Sequence, residues 1–156
     1  MAVVSIVDLA SESLHLPTLA AWHHAQWLDL NPGDTLESRI TRMQAYLGPD
    51  LIPSTFVYKV GQKTAGSAAL VACDMETRPE LSPWLASVFV APEFRRQGIG
   101  AALVRHVMAQ AKQANFERVY LFTPDRSDFY RKLGWRNLFT ESYRGHFVTV
   151  MAVELS

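Results

Sequence analysis

The chain has 156 residues, 49% of them hydrophobic, and fifteen basic residues balance fifteen acidic ones. This length and composition allow one buried core, so we expect a single domain over residues 1–156. The neutral balance gives no support for nucleic acid or an anionic membrane as a partner, and no run approaches the ~20 apolar residues that span a bilayer. The one cysteine, Cys73, cannot form an intramolecular disulfide, and the first residues make a poor signal peptide. We therefore expect a cytoplasmic protein.

Hydrophobic spacing and turn residues predict a mixed α/β fold. In chain order, the predicted elements are a strand at 2–7, helices at 17–28 and 36–47, strands at 55–60, 64–72 and 84–90, a helix at 98–114, a strand at 118–122, a short helix ending at residue 134, and strands at 135–139 and 147–153. Strands and helices do not alternate regularly in this order. The pattern therefore indicates a mixed layer fold and not a regular series of βαβ units.

Local signals mark several of these boundaries. Asp34 lies three residues before Glu37, which resembles a capping box at the start of the second helix. Gly61 suits the positive φ of a tight hairpin turn between the second and third strands. Thr123, followed by a proline, is typical of an N-cap and the first residue of a helix.

The stretch RRQGIGA, residues 95–101, lies where an apolar strand is followed by a helix. The first backbone N–H groups of a helix have no partner within it, and the macrodipole adds partial positive charge there. Gly98 and Gly100 would let an anion approach these groups, and two adjacent arginines add charge. The stretch predicts a pyrophosphate site, with a tight strand-to-helix turn as the alternative. The P-loop lysine and the third glycine of the dinucleotide fingerprint are both absent.

Two motifs together resemble the GCN5-related N-acetyltransferase (GNAT) family. Arg95-x-x-Gly98-x-Gly100 after an apolar strand is similar to the family's acetyl-CoA-binding motif, and FYRKLGW at 129–135 is similar to its second motif. The order of elements matches over nearly the whole chain. The resemblance implies a GNAT fold of the α/β (α+β) type. Its central, mostly antiparallel sheet has seven strands, is splayed between strands 4 and 5, and is accompanied by about four helices.

The same resemblance implies an enzyme that uses acetyl-CoA as co-substrate, without a metal. The resemblance also implies that Tyr130 would protonate the leaving CoA thiolate. Cys73 stands at a predicted strand end and is not placed for acyl-enzyme chemistry, so the acetyl group would move directly to a primary amine in a ternary complex. Acetyl-CoA would enter between the fourth and fifth strands. The implied cofactor contacts are Val88, Phe89, Val90, Arg95, Arg96, Gln97, Gly98, Ile99, Gly100, Ala101 and Thr123. Two positions depart from the family pattern, where asparagine and alanine are usual and Thr123 and Arg126 stand here.

The acceptor side is less specified. The resemblance implies a pocket between residues 27–35 and 140–146, edged by the loop 74–83, and it favours Trp27, Glu76, Ser87 and His146 as substrate-binding residues. A small amine and a peptide or protein N-terminus both stay open as acceptors, as do a monomer and a homodimer. The general base stays open among Asp74, Glu76, Glu80, His23, His24, His146 and a water chain relayed by Ser87.

Two other functions remain as alternatives. The first is a CoA-binding sensor or partner module without turnover, which would keep the predicted pyrophosphate site at residues 95–101, here called the phosphate loop, and lose the chemistry. The second is transfer of a longer acyl group. The five histidines lack metal-ligand spacing, so no metal site is predicted.

Overall fold

The computed structural model describes residues 3–155, and its elements follow the predicted order. The strands are β1 (Val4–Asp8), β2 (Ser54–Val60), β3 (Lys63–Val71), β4 (Trp84–Val90), β5 (Arg118–Thr123), β6 (Arg136–Tyr143) and β7 (His146–Glu154). The helices are α1 (Leu16–Trp27), α2 (Leu36–Met43), α3 (Ile99–Gln113) and α4 (Ser127–Arg131). The predicted start of the first strand at residue 2 lies outside the described residues. Within residues 3–155, no helix has the length and apolar character needed to cross a bilayer.

The seven strands form one sheet in the order β1-β2-β3-β4-β5-β7-β6. Neighbouring strands are antiparallel, except β4 and β5, which are parallel. The two parallel strands pair at Trp84 of β4 and Tyr120 of β5, at the start of β4, and they diverge beyond this point. The splayed sheet that the resemblance implied is confirmed, and the later part of β4 faces an opening.

Helices cover both faces of the sheet. Phe56 and Val57 are neighbours on β2, so their side chains point to opposite faces. Phe56 belongs to the core beneath α3, which includes Leu103 and Val107, whereas Val57 belongs to the core beneath α1 and α2, which includes Leu19. The strand β4 therefore runs between α3 on one side and α1 on the other, and a ligand in its opening can reach both.

The start of α2 corrects one prediction. The capping box is formed by Thr35 and Ser38, since each side chain accepts a hydrogen bond from the backbone N–H of the other at 3.0 Å. The predicted pair Asp34 and Glu37 was one residue too early. Asp34 instead binds Arg42, accepting two hydrogen bonds at 2.8 and 2.7 Å. A carboxylate that meets a guanidinium in this bidentate way makes a stronger contact than a cap to one backbone N–H.

Of the two other boundary signals, the one at Gly61 is confirmed and the N-cap at Thr123 is wrong. Gly61 has φ 62° in the β2–β3 hairpin, as expected. The Thr123 hydroxyl accepts a hydrogen bond from the Arg126 N–H at 3.0 Å. However, α4 begins only at Ser127, so Thr123 closes the turn before the helix and is not its N-cap.

Candidate active site

A bulge bends β4 next to the opening. Ser67 on β3 stands opposite Phe89, and Ala69 stands opposite Ala86, so two β4 residues share the position opposite a single β3 residue. Ser87 is one of these two and has φ 54°, a left-handed conformation that is uncommon for serine. Bulges of this kind redirect side chains beside functional sites. Here the bulge directs Ser87 toward a cavity on the α1 side of the sheet.

Gly66 lets β3 lie close to the bulged part of β4. A Cβ atom at this position would stand 2.6 Å from the carbonyl oxygen of Phe89, which no side chain tolerates without a backbone shift. An isolated glycine in a strand is the sequence signal for such a close approach. The glycine inside the predicted strand 64–72 could therefore have indicated the bulge.

The loop between β4 and α3 has the backbone of an anion site. Arg96 and Gly98 both have positive φ, 65° and 78°, after a short 3-10 helix at Pro92–Phe94. Gly98 is the N-cap of α3 and supplies no side-chain hydrogen bond to the first turn of the helix. Backbone N–H groups in such a turn form a concave surface that binds anions. Arg96, Gln97 and Gly98 are exposed, so this surface is accessible.

Gly100 lies in the first turn of α3, and the packing of the protein does not require a glycine there. A Cβ atom would lie 3.5 Å from Cζ of Phe129 and 3.7 Å from Cγ2 of Val90, which are ordinary contact distances. Its φ is not among the positive values. The missing side chain therefore leaves room for a ligand, and the residues present fit a diphosphate.

The predicted cofactor residues of β4 have side chains on opposite faces of the sheet. Val88 and Val90 pack toward the core beneath α3, whereas the ring of Phe89 lies 6.1 Å from that of Trp27 on the α1 side. Arg95 donates from Nε to the carbonyl oxygen of Val90 at 2.9 Å, so its guanidinium is held against the end of the strand. The structure thus brings the phosphate loop and the end of β4 together.

Tyr130 lies on α4, next to Phe129, whose ring faces Gly100 at the start of α3. Its half-buried ring packs against Phe129, 5.0 Å away between ring centres, and Trp135, 6.1 Å away. Burial raises the pKa of Tyr130 to about 12, so the phenol keeps its proton at neutral pH. Because Phe129 also faces Gly100, α4 and the start of α3 border the same end of the opening.

Two cavities lie on the α1 side. The inner cavity has a volume of about 230 Å³ and includes Ser87 of the bulge. The outer cavity has a volume of about 620 Å³. The inner cavity is lined by His23, Arg39, Arg42, Met43, Tyr46, Asp74 and Ser87. The outer cavity is lined by Leu30, Asn31, Pro32, Gly33, Asp34, Arg42, Glu76 and Arg144. Arg42 lines both, so the two cavities are neighbours.

The inner cavity holds a carboxyl group that titrates near neutral pH. Burial raises the pKa of Asp74 to about 7, although the charges of Arg39 and Arg144 act in the opposite direction. His23 is fully buried, its Nε2 is 2.9 Å from the Ser67 hydroxyl, and burial lowers its pKa to about 3. At neutral pH His23 is therefore neutral and Asp74 is the group that changes charge.

Arg144 lines the outer cavity and connects its walls. It donates hydrogen bonds to the Leu30 carbonyl oxygen at 3.1 Å, to Asn31 Oδ1 at 2.8 Å and to Glu76 at 3.0 Å. These contacts join the α1–α2 loop, the β6–β7 turn and the loop after β3, which are the segments expected to build the acceptor pocket. His146 stands opposite Tyr143 at the start of β7 and lines neither cavity.

Comparison with known proteins identifies the family. A family model described as an acetyltransferase (GNAT) domain matches residues 53–137, more than half of the 156 residues. The chain belongs to the GNAT acetyltransferase family. The match covers β4, the phosphate loop, α3 and Tyr130 of this GNAT chain. A comparison with curated protein sequences finds no match.

Solved structures share the fold of this GNAT acetyltransferase. The spermidine N-acetyltransferase of Vibrio cholerae, in complex with CoA and spermine, is 15% identical over 97% of this chain and 95% of its own, with a TM-score of 0.74. The ribosomal-protein-S18-alanine N-acetyltransferase of Escherichia coli is 21% identical over 99% and 95%, with a TM-score of 0.69. The yncA protein of Salmonella typhimurium, with its cofactor acetyl-CoA, is 13% identical over 98% and 94%, with a TM-score of 0.72. At these identities the likeness shows the fold alone.

Sequence reasoning missed most of the inner cavity of this GNAT domain. The sequence offers Asp74 as one of several candidates for the base, and no sequence pattern points to Arg39 or Tyr46. Their shared site depends on α2, the 3-10 helix after it and the loop after β3 meeting beside Ser87, which no local pattern indicates. Within residues 3–155, no cluster of three or more His, Cys, Asp or Glu side chains has the arrangement of a metal site.

Proposed function

We propose that this GNAT acetyltransferase moves an acetyl group from acetyl-CoA directly to a primary amine, in a complex that holds both substrates. One observation carries the proposal: the accessible phosphate loop and the inner cavity both adjoin β4, at its end and at its bulge. A cofactor lying along this strand and an amine in the cavity would meet there. The amine acceptors named for the Vibrio and Escherichia neighbours support the same class of acceptor.

The cofactor would be held mainly by backbone groups. Beyond Trp84, β4 diverges from β5, so the backbone groups of Val88–Val90 on this side are available to pair with the pantetheine arm like an added strand. The N–H groups of residues 97–101 would hold the diphosphate, and Arg96 would add positive charge. When bound, acetyl-CoA supplies the activated acetyl thioester. The cytoplasmic location and the oligomeric state stay predictions.

Two side chains have the protonation states that the transfer needs. The acceptor ammonium must lose a proton before its nitrogen can attack, and Asp74 would take that proton, directly or through a water. The new bond joins the amine nitrogen to the acetyl carbon, and the carbon–sulfur bond breaks. Tyr130 would donate its phenolic proton to the leaving thiolate and regain a proton from solvent. The second proton that the nitrogen carries after the attack would be lost to solvent, so the products are the amide, the CoA thiol and one net proton. Backbone N–H groups of Val88–Val90 would stabilise the charge on the thioester oxygen.

The single cysteine supports direct transfer over an acyl-enzyme. Cys73 lies after β3, and its thiol donates to the backbone carbonyl oxygen of Met75 at 3.3 Å. It lines neither the inner nor the outer cavity. The amine would therefore attack the thioester itself, and we expect no covalent acetyl-protein species by mass spectrometry.

A thiol-release assay tests the proposal. With acetyl-CoA and a panel of small amines, amino acids and peptides, we expect at least one primary amine to release CoA thiol above the amine-free rate. Mass spectrometry should show its acetamide product. Tight CoA binding with no thiol release from any amine would favour a CoA-binding module. Repeating the assay with propionyl- and succinyl-CoA decides whether the acetyl group is preferred over longer acyl groups.

A further inference from the structure

Arg39 is a half-buried cation without a complete set of partners. Its Nε atom is buried and forms no hydrogen bond, and its guanidinium lies 6.0 Å from the ring centre of Trp27. A buried N–H group of a charged side chain that lacks an acceptor is costly, and such groups are normally satisfied. Arg39 also lines the inner cavity, where an anion could reach it.

Its charged neighbours in the two cavities have partners. Arg42 forms a bidentate pair with Asp34 at 2.8 and 2.7 Å, and Arg144 binds Glu76 at 3.0 Å. Arg39 therefore stands out as the cation of the inner cavity that is available to a ligand. A guanidinium has a planar set of donors that matches a carboxylate, which makes a carboxylate the anion that it fits best.

We propose that the acceptor is a small amino-carboxylate, whose carboxylate binds Arg39 while its amine faces Asp74 beside Ser87. This inference rests on the proposed function and narrows its acceptor class. A cation and a carboxylate that line one small cavity are complementary to a molecule carrying the opposite charges at its two ends. The volume of about 230 Å³ suits a compact molecule of this kind.

The other acceptor classes fit this cavity less well. A polyamine would bring positive charge against Arg39 without a carboxylate to bind it, and like charges in a partly buried site repel each other. A peptide N-terminus carries an amide in place of the carboxylate beside its amine, so Arg39 would keep its unsatisfied group. The longer tail of either acceptor would have to continue past Arg42 into the outer cavity.

Matched pairs of acceptors test the carboxylate directly. Each common amino acid is compared with its amide, and β-alanine and γ-aminobutyrate are compared with propylamine and butylamine, using thiol release at saturating acetyl-CoA. We expect at least one free acid to exceed its partner in kcat/KM by about 30-fold or more, which is the usual effect of removing a hydrogen-bond partner from a charged group. Amidation also lowers the pKa of the amine and so leaves more of it neutral, a bias that acts against the expected result.

Substitution of Arg39 links the preference to this residue. Arg39→Gln should reduce the acid-to-amide ratio of kcat/KM to near one, mainly through a higher KM for the acid, and Arg39→Lys should give an intermediate ratio. Arg136→Gln is the matched control, because Arg136 is exposed on β6 and binds Glu154 at 2.8 Å, away from both cavities. Thermal unfolding of each variant shows whether it folds.

Calorimetry separates this inference from the proposed function. Free acids and amides are titrated into the CoA-saturated protein and into its Arg39→Gln variant. Arg39-dependent binding of acids without thiol release would support the carboxylate site and refute the proposed function. Acetylation of amines with equal preference for acids and amides, or a preference that survives in Arg39→Gln, would overturn the carboxylate site and leave the proposed function standing. Absence of both binding and turnover would refute both.

Discussion

Replacing Tyr130 by phenylalanine is expected to lower kcat by about 100- to 10 000-fold, the usual contribution of a positioned general acid. The affinity for CoA should stay within about twofold, because the phosphate loop and the backbone of β4 hold the cofactor. Burial raises the pKa of Tyr130 to about 12. The phenol therefore stays protonated at every pH of the assay. Removing its hydroxyl group should lower the rate by the same factor at each pH. Single-turnover rates at saturating acetyl-CoA and calorimetric titration with CoA measure the two quantities.

Tyr58→Phe is the matched control for this experiment. Tyr58 is a half-buried tyrosine on β2 that packs against the same core, so the change removes the same hydroxyl from a position away from the opening. We expect its rate to match that of the unaltered protein. A Tyr130→Phe variant that retains more than about a third of the normal kcat would discard the general-acid assignment, since that loss is far below the usual range.

Replacing Asp74 by asparagine is expected to lower kcat/KM by about 100-fold at pH 8 and to change the pH profile. A base must be deprotonated to act, and burial raises the pKa of this carboxyl group to about 7. In the unaltered protein, kcat/KM should therefore rise as the pH passes upward through about 7. The Asp74→Asn variant should lack this rise and keep only the one at higher pH that comes from the acceptor amine. Profiles of kcat/KM from pH 5.5 to 9.5 show the difference.

The groups that face Asp74 do not explain a rise near pH 7. His23 has its pKa lowered to about 3 by burial, and burial raises the pKa of Tyr46 above its usual value. The guanidinium groups of Arg39, Arg42 and Arg144 stay charged throughout. A rise near pH 7 that persists in Asp74→Asn would exclude Asp74 as the base.

Glu80→Gln is the matched control for the loop that contains Asp74. Glu80 is exposed in the same loop and lies 3.5 Å from Arg78, so the change neutralises a carboxylate that lines neither cavity. We expect its pH profile to keep the rise near pH 7.

Most of the fold could be predicted from the sequence, because hydrophobic spacing and turn residues mark the same boundaries of helices and strands. The strand Trp84–Val90 was predicted with its observed bounds, and the helix after it begins one residue after the predicted start. The capping box predicted at Asp34 and Glu37 is wrong. The side chains of Thr35 and Ser38 each accept a hydrogen bond from the backbone N–H of the other, while Asp34 binds Arg42. That competition depends on a side chain two turns further along the helix, which the spacing rule does not consider.

The loop that is proposed to hold the cofactor could be located from the sequence, whereas the inner cavity could not. The phosphate loop is contiguous, so Gly98 and Gly100 carry its signal within a few residues. The inner cavity combines Arg39 of α2, Asp74 of the loop after β3 and Ser87 of the β4 bulge. The raised pKa of Asp74 and the unsatisfied Nε of Arg39 follow from burial, which exists only in the folded chain. His146 was chosen by its position in the chain, and the β6–β7 hairpin places it outside both cavities.

Calorimetric titration with CoA tests most directly whether the backbone N–H groups at the start of α3 hold the diphosphate. We expect the unaltered protein to bind CoA and Gly100→Val to bind it at least about 30-fold more weakly, because several charge-assisted hydrogen bonds would be lost. Gly48→Val is the control, since Gly48 also lacks a positive φ and a Cβ atom there would meet only the Ala45 carbonyl oxygen at 3.8 Å. No heat from CoA with the unaltered protein, or equal affinity in a folded Gly100→Val variant, would contradict the account.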